Sequence, residues 1–231
     1  MITEVSQSSS DRSEILRMAT AGVVRAGLSG PYGHLSMRID AGHFLVTPAK
    51  ALSTIGAADE GLVVPTVGPL PPKVAGEVRI HQRIYASRPA VGAIIRFISP
   101  NVVALSALGD VPRPRHGFGS YFYPQPGFWP SIQLVRSDEL ADGAVEVMGQ
   151  NCALIMRGNG AVVAGADIRQ AVSLAVYLED AARVELEALR TGRQEAPTLS
   201  AEEAAERATW EGGVADRMWD HLTRSTGVVY R

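Results

Sequence analysis

The stretch AVGAIIRFISPNVVALSAL, residues 90–108, constrains the fold more than any other part of the chain. Its first apolar run, 91–95, reads as a buried strand. Ser99 and Pro100 then open a helix, with Ser at the N-cap and Pro at the first helical position. Between the two stands Arg96, a cation at the mouth of a buried strand. Such a residue either lays its stem along apolar surface to reach water or clamps an anion. Strand ends in α/β folds are where ligands tend to bind, which keeps the second reading open.

The flanking pattern alternates strand and helix. Residues 13–27 carry Ile15, Leu16, Ala19, Val23 and Val24 at helical spacing, and Gly27 ends the run. Residues 34–49 alternate around Asp40, Ala41 and Gly42, as a hairpin does. Residues 61–72 continue as a short strand and turn, and 74–88 as a helix with Val78, Ile84 and Tyr85 as core candidates. Residues 117–131, rich in Gly, Pro and aromatic residues, predict an ordered loop with one short strand. A helix capped by Ser137 follows, then two apolar strands around the tight turn Gly158, Asn159, Gly160. Residues 166–192 form the longest helical pattern, stopped by Gly192. The last segment opens with a capping box, Ser200 and Glu203. It carries Trp210, Met218, Trp219 and Leu222 on an apolar stripe interrupted at Gly212 and Gly213.

These elements predict an α/β fold: a three-layer α/β/α sandwich around a mainly antiparallel central sheet. Residues 1–10 read as a flexible polar arm, 11–195 as the domain, and 196–231 as a helical extension packing on the domain or on a neighbouring subunit.

Composition agrees with one sizeable core. The 231 residues are 46% hydrophobic and 20% charged. A net charge of −2 without a basic block argues against nucleic acid or an anionic membrane as partner. The single cysteine, Cys152, excludes an intrachain disulfide and a CxxC site, and its apolar setting reads as a small buried hydrophobe. The polar N-terminus and the lack of any 18-residue apolar run predict a soluble, cytoplasmic protein.

Several residues can carry chemistry. Glu77 and His81, four apart in a predicted helix, share one face; such a pair works as acid and base, holds a metal, or is an ordinary exposed pair. His34 follows Gly33 at a strand start and has a structural reading beside a functional one. Lys50 ends a strand as a surface charge or an anion contact. Asn159 suits a turn by its tolerance of left-handed backbone. Tyr121, Tyr123, Phe128 and Trp129 pack a loop, wall a substrate or meet a neighbouring subunit.

In order and spacing, GLSGPYGHLSMR, VTPAK, AGEVRIHQRIYASRPAVGAIIRFISP and MRGNGAVVAG resemble the class II aldolase/adducin family over about residues 15–190. In that family an H-x-H pair and an N-H-G histidine bind a divalent cation, usually zinc, and the glutamate of S-S-E is the acid/base. Here those three histidine positions hold Arg96, Ile98 and Asn159, while Glu77 stands at the glutamate position. The phosphate-holding Asn, Ser-Gly and Ser-Ser elements become His34, Ala49-Lys50 and Ala75-Gly76. Arginine and isoleucine offer no lone pair to a metal, so the resemblance and its departures imply no metal or other cofactor.

The expected function is a metal-independent lyase performing aldol, retro-aldol, decarboxylation or cyclisation chemistry on a small carbonyl- or carboxylate-bearing specialised metabolite. Glu77 would transfer protons and Arg96 would clamp an oxyanion, with His34, Lys50, His81, Ser99, Tyr121 and Asn159 as substrate contacts. The alternative is a non-catalytic binding or scaffold protein, as adducin-type heads are. A third reading relocates a metal to His34, Glu77, His81 or His116. The resemblance also implies a homotetramer with sites between subunits.

Overall fold

The computed structural model describes residues 9–224. Most of the expected N-terminal arm, and residues 225–231 of the expected extension, lie outside the described residues. Seven strands form one sheet: β1 (His34–Arg38), β2 (His43–Val46), β3 (Leu62–Pro65), β4 (Ala93–Phe97), β5 (Gly127–Trp129), β6 (Ala153–Met156) and β7 (Ala161–Gly165). Their order is β3-β2-β1-β4-β7-β6-β5. All neighbours run antiparallel except β5 and β6, which are parallel, so the sheet is mixed with an antiparallel majority.

The arginine-ended strand is the centre of this sheet. Every residue of β4 is buried, because helices cover both sides. Side chains alternate along a strand. Ala93, Ile95 and Phe97 therefore join the core under α1 (Ser9–Arg25), α3 (Pro100–Ala107), α5 (Ile168–Arg190) and α7 (Val214–Thr223). Ile94 faces the second core, under α2 (Arg79–Ser87) and α4 (Asp138–Met148). The strand period puts Arg96 on this second face too. Two apolar layers on one sheet are the three-layer sandwich expected from the alternation of elements.

Local signals explain the boundaries. Ser137 accepts a hydrogen bond from Leu140 N at the start of α4, and Gly192, at φ 69°, follows the end of α5. The predicted helix over 74–88 begins instead as a 3₁₀ turn, Gly76–Val78, before α2. No side chain caps that start, and tighter hydrogen bonding is a common way to satisfy an uncapped first turn. Glu77 thus sits on the turn, ahead of the helix that carries His81.

The C-terminal segment packs on its own chain. The capping box of Ser200 and Glu203 opens α6 (Ala201–Arg207). The backbone then turns through Gly212 and Gly213, both left-handed at φ 67° and 70°, into α7. Trp219 and Leu222 of α7 are buried in the same core as α1 and α5. The Trp210 ring lies tilted 4.7 Å from that of Tyr121, which also meets Tyr177 of α5 at 5.2 Å.

Topology brings three chain segments to one end of the sheet. The C-terminal end of β4 lies beside the N-terminal end of β1, with His34 directly opposite Arg96. On the other side it lies beside β7, whose first residue follows the turn at 158–160.

Candidate active site

Arg96 is 1% exposed, the largest fully buried side chain among the described residues. Its Nη2 donates to Asn159 Oδ1 at 2.9 Å and lies 3.5 Å from Glu77 Oε1. Its Nε and Nη1 are buried with no partner. Burial pulls the guanidinium below its ordinary pKa, and the Glu77 carboxylate opposes that shift. A buried guanidinium with one distant counter-ion and two unpaired nitrogens is costly in isolation. An anion arriving from outside would complete it.

Glycine backbones flank this strand end. Gly33, at φ 129°, has no room for a side chain: a Cβ there would lie 2.7 Å from the carbonyl oxygen of Arg96. Gly160, at φ 78°, similarly abuts the carbonyl of Phe97.

Behind Arg96 runs a closed polar chain. His34 Nδ1 and His81 Nε2 are 2.9 Å apart. His81 Nδ1 is 2.6 Å from Ser36 Oγ, which is 2.9 Å from Tyr85 Oη. All four side chains are buried, and His34 Nε2 has no partner. Burial, reinforced by Arg96, pushes the His81 pKa down to about 3. Burial, then the neighbouring His81 and Arg96, also drives His34 well below its ordinary value. Both rings are neutral near pH 7 and act through single N–H groups. Burial raises the Tyr85 pKa, so its hydroxyl stays protonated.

The structure thus brings together Glu77, Arg96, Asn159, His34 and His81 from the expected set. It adds Ser36 and Tyr85, which sequence reasoning did not single out for chemistry. Their signal was present: Ser36 is two residues from His34 on a strand face, and Tyr85 is four from His81 on a helix face.

Three expected substrate contacts are engaged elsewhere. The Lys50 ammonium meets both carboxylate oxygens of Asp59, at 3.1 and 3.0 Å, on an exposed loop. The Ser99 hydroxyl donates to Glu179 Oε2 at 2.6 Å. That carboxylate also accepts the backbone N–H groups of Asn101 and Val102, so it caps α3 from α5. Tyr121 donates its hydroxyl to Thr209 O, which ties the aromatic loop to the C-terminal segment.

The site does not fit the divalent cation that the family resemblance implies. Oxygens of Asn159 and Glu77 face the guanidinium, and Arg96 has no lone pair to offer. Among the described residues, no three His, Cys, Asp or Glu side chains gather as metal ligands. His116, one candidate for a relocated metal, lies 3.1 Å from Asp180 on α5. A surface cleft of about 590 Å³ lies near the far end of β4 around Gly92 and Ala166 and includes no residue of the cluster. No described helix is long and apolar enough to cross a membrane.

Comparison with known proteins places this geometry in context. A sequence model of the Class II Aldolase and Adducin N-terminal domain matches residues 16–186. The chain is 30% identical to a 3,4-dihydroxyphthalate decarboxylase of Terrabacter sp. (strain DBF63), over 78% of this chain and 81% of that protein. It is 28% identical to a 3-oxo-tetronate 4-phosphate decarboxylase of Escherichia coli (strain K12), over 75% and 84%. The solved L-fuculose 1-phosphate aldolase from Glaciozyma antarctica PI12 shares the fold at a TM-score of 0.75 and 21% identity, over 94% of this chain and 93% of that one.

Proposed function

The chain belongs to the class II aldolase and adducin family, and from that premise we propose that it is a metal-independent decarboxylase acting on a small β-oxo or ortho-hydroxy carboxylic acid. The relatives support a lyase. Their names describe acids whose carboxylate stands β to an oxygen-bearing carbon, a 3-oxo group in one and a 3-hydroxyl in the other. Loss of carbon dioxide sends the electron pair onto that oxygen once the oxygen-bearing carbon is a ketone, which a 3-oxo acid already has and a hydroxybenzoate gains when its carboxylate-bearing ring carbon takes up a proton and its hydroxyl gives one up. The catalytic need is therefore a fixed positive charge where the oxyanion develops.

The observation that carries the reading is Arg96, buried beside Glu77 with Nε and Nη1 unpaired. In this mechanism the bond from carbon to carboxylate breaks and carbon dioxide departs. The electron pair forms an enolate or phenolate whose oxygen is held by Arg96. Glu77, partly exposed at the mouth, relays a solvent proton to the carbon that bears the carboxylate, after carbon dioxide leaves a 3-oxo acid and before it leaves a hydroxybenzoate. Asn159 fixes the guanidinium plane. Aldol or retro-aldol chemistry would need the same clamp, so decarboxylation rests on the relatives rather than on geometry. A cytoplasmic homotetramer, with a neighbouring subunit over the mouth at Glu77 and Asn159, belongs to the same proposal.

The test is carbon dioxide release from a panel of 3-oxo acids and hydroxybenzoates by protein stripped with EDTA. Release that survives stripping and disappears in Arg96→Met supports the reading. Activity that returns only with added divalent metal overturns it. Tight ligand binding without turnover of any panel member favours the non-catalytic alternative, which the missing imidazoles also fit.

A further inference from the structure

Hydrogen-bond accounting along the buried polar chain fixes which nitrogen of His34 carries its proton. Among the described residues Tyr85 Oη bonds Ser36 alone, and Ser36 Oγ bonds only Tyr85 and His81. With both rings neutral, one arrangement leaves a single group unpaired. Tyr85 donates to Ser36, Ser36 donates to His81 Nδ1, and His81 Nε2–H donates to His34 Nδ1. The proton of His34 then sits on Nε2, the nitrogen without a partner.

The reverse arrangement is worse. If His34 Nδ1–H donates to His81, then His81 Nδ1–H donates to Ser36. A hydroxyl hydrogen of Ser36 or Tyr85 is left without an acceptor in the closed interior, and the His34 Nε2 lone pair is unpaired as well. Each such buried group keeps its full desolvation penalty. Arg96 stands opposite His34 across the β1–β4 pairing, and its Nε and Nη1 carry unpaired hydrogens.

We propose that His34 presents its Nε2–H, together with Arg96, to an oxyanion of the ligand, and that His81, Ser36 and Tyr85 are positioning residues that hold His34 in this tautomer. Two buried donors with unpaired hydrogens, on residues paired across neighbouring strands, form a pre-organised cradle for one negatively charged oxygen. The ligand class, an enolate, phenolate or carboxylate oxygen of a small acid, rests on the decarboxylase reading. The tautomer does not.

Ring ¹⁵N resonances of the histidines in the full chain test both parts. The expected result is a protonated Nε2 on His34 and on His81 in the ligand-free protein. The His34 Nε2 signal should then shift on titration with 2-hydroxybenzoate or oxalate. In Ser36→Ala, His81 loses its donor, so His34 should populate both tautomers. The affinity for 2-hydroxybenzoate should fall in proportion to the fraction of the Nε2–H form that is lost. His34→Gln, which keeps an N–H donor, should bind better than His34→Ala. A proton on Nδ1 of His34 in the unmutated protein overturns the proposal whether or not any variant folds. So does a His34 ring insensitive to both anions, or a tautomer unchanged in Ser36→Ala. A responsive His34 in a protein that releases no carbon dioxide from the panel would keep the cradle and refute the decarboxylase reading.

Discussion

Asn159 accepts a 2.9 Å hydrogen bond from Nη2 of Arg96, so the turn joining β6 to β7 holds a side chain from the last residues of the sheet's central strand. The bond takes one edge of the guanidinium and leaves Nε and Nη1 for something else. A residue selected for stability alone would not be left in that state.

Arg96→Met should make this distinction measurable. Methionine spares the desolvation cost of a buried, incompletely paired cation, and the Glu77 carboxylate left behind is partly exposed and can be hydrated. The variant should melt at or above the temperature of the unmutated protein and lose all detectable binding of 2-hydroxybenzoate by calorimetry. A large drop in melting temperature would assign Arg96 a structural role.

Glu77→Gln should separate proton transfer from binding. The amide keeps the shape of the carboxylate but cannot relay a proton. We expect carbon dioxide release to fall by about 10²–10⁴-fold, while the affinity for a non-reacting acid stays the same or improves. Equal loss of binding and turnover would mean that Glu77 only neutralises Arg96.

Acid should destabilise the fold through the two buried imidazoles. Their folded-state pKa values lie below the ordinary 6.5, at about 3 for His81 and well below 6.5 for His34. Between those values and 6.5 the unfolded chain binds more protons, so stability is lost as pH falls from 6.5 toward 3. Each ring contributes a slope of up to about 1.4 kcal/mol per pH unit. Urea unfolding between pH 7 and pH 4.5 measures this, and His81→Gln should flatten the dependence.

Glu179→Ala should cost about 2–4 kcal/mol in chemical denaturation. It removes the acceptor for Asn101 N, Val102 N and the Ser99 hydroxyl, leaving the start of α3 uncapped. Because α3 follows directly on the strand that carries Arg96, weaker ligand binding should accompany the loss.

Cys152 should resist iodoacetamide at pH 8 in the folded protein. Burial pushes its thiol up to about 12, so the reactive thiolate is scarce. Labelling should appear only on unfolding.

Most of the sandwich was legible because its signals are local: the apolar run that became β4, the turn at 158–160, the capping box at Ser200 and the stripe that became α7. Glu77, Arg96 and Asn159 are legible as a group because they occupy positions of a family motif, and the structure brings their side chains together. Less legible are residues whose partners are distant in sequence. Ser99 stands at the N-cap of α3 as its sequence suggests, but its hydroxyl donates to Glu179, 80 residues away, instead of capping the backbone itself. Tyr121 looks like a substrate wall until Thr209 and Trp210 fold back on it. Ser36 and Tyr85 were passed over because a small residue in a strand and an aromatic one in a helix are ordinary core occupants. Their joint meaning emerges only once β1 and α2 are packed together.

The glycines at 33 and 160 leave a practical legacy. Each lies in left-handed backbone against a carbonyl at the end of β4, so no larger residue can replace it without moving the arginine between them. A directed-evolution library aimed at new substrates should hold these two positions constant, together with Glu77, Arg96 and Asn159, and spend its diversity on the residues that surround the mouth. Variants recovered with either glycine changed would be expected to carry a compensating shift of the whole strand end, and to have traded away the site rather than retuned it.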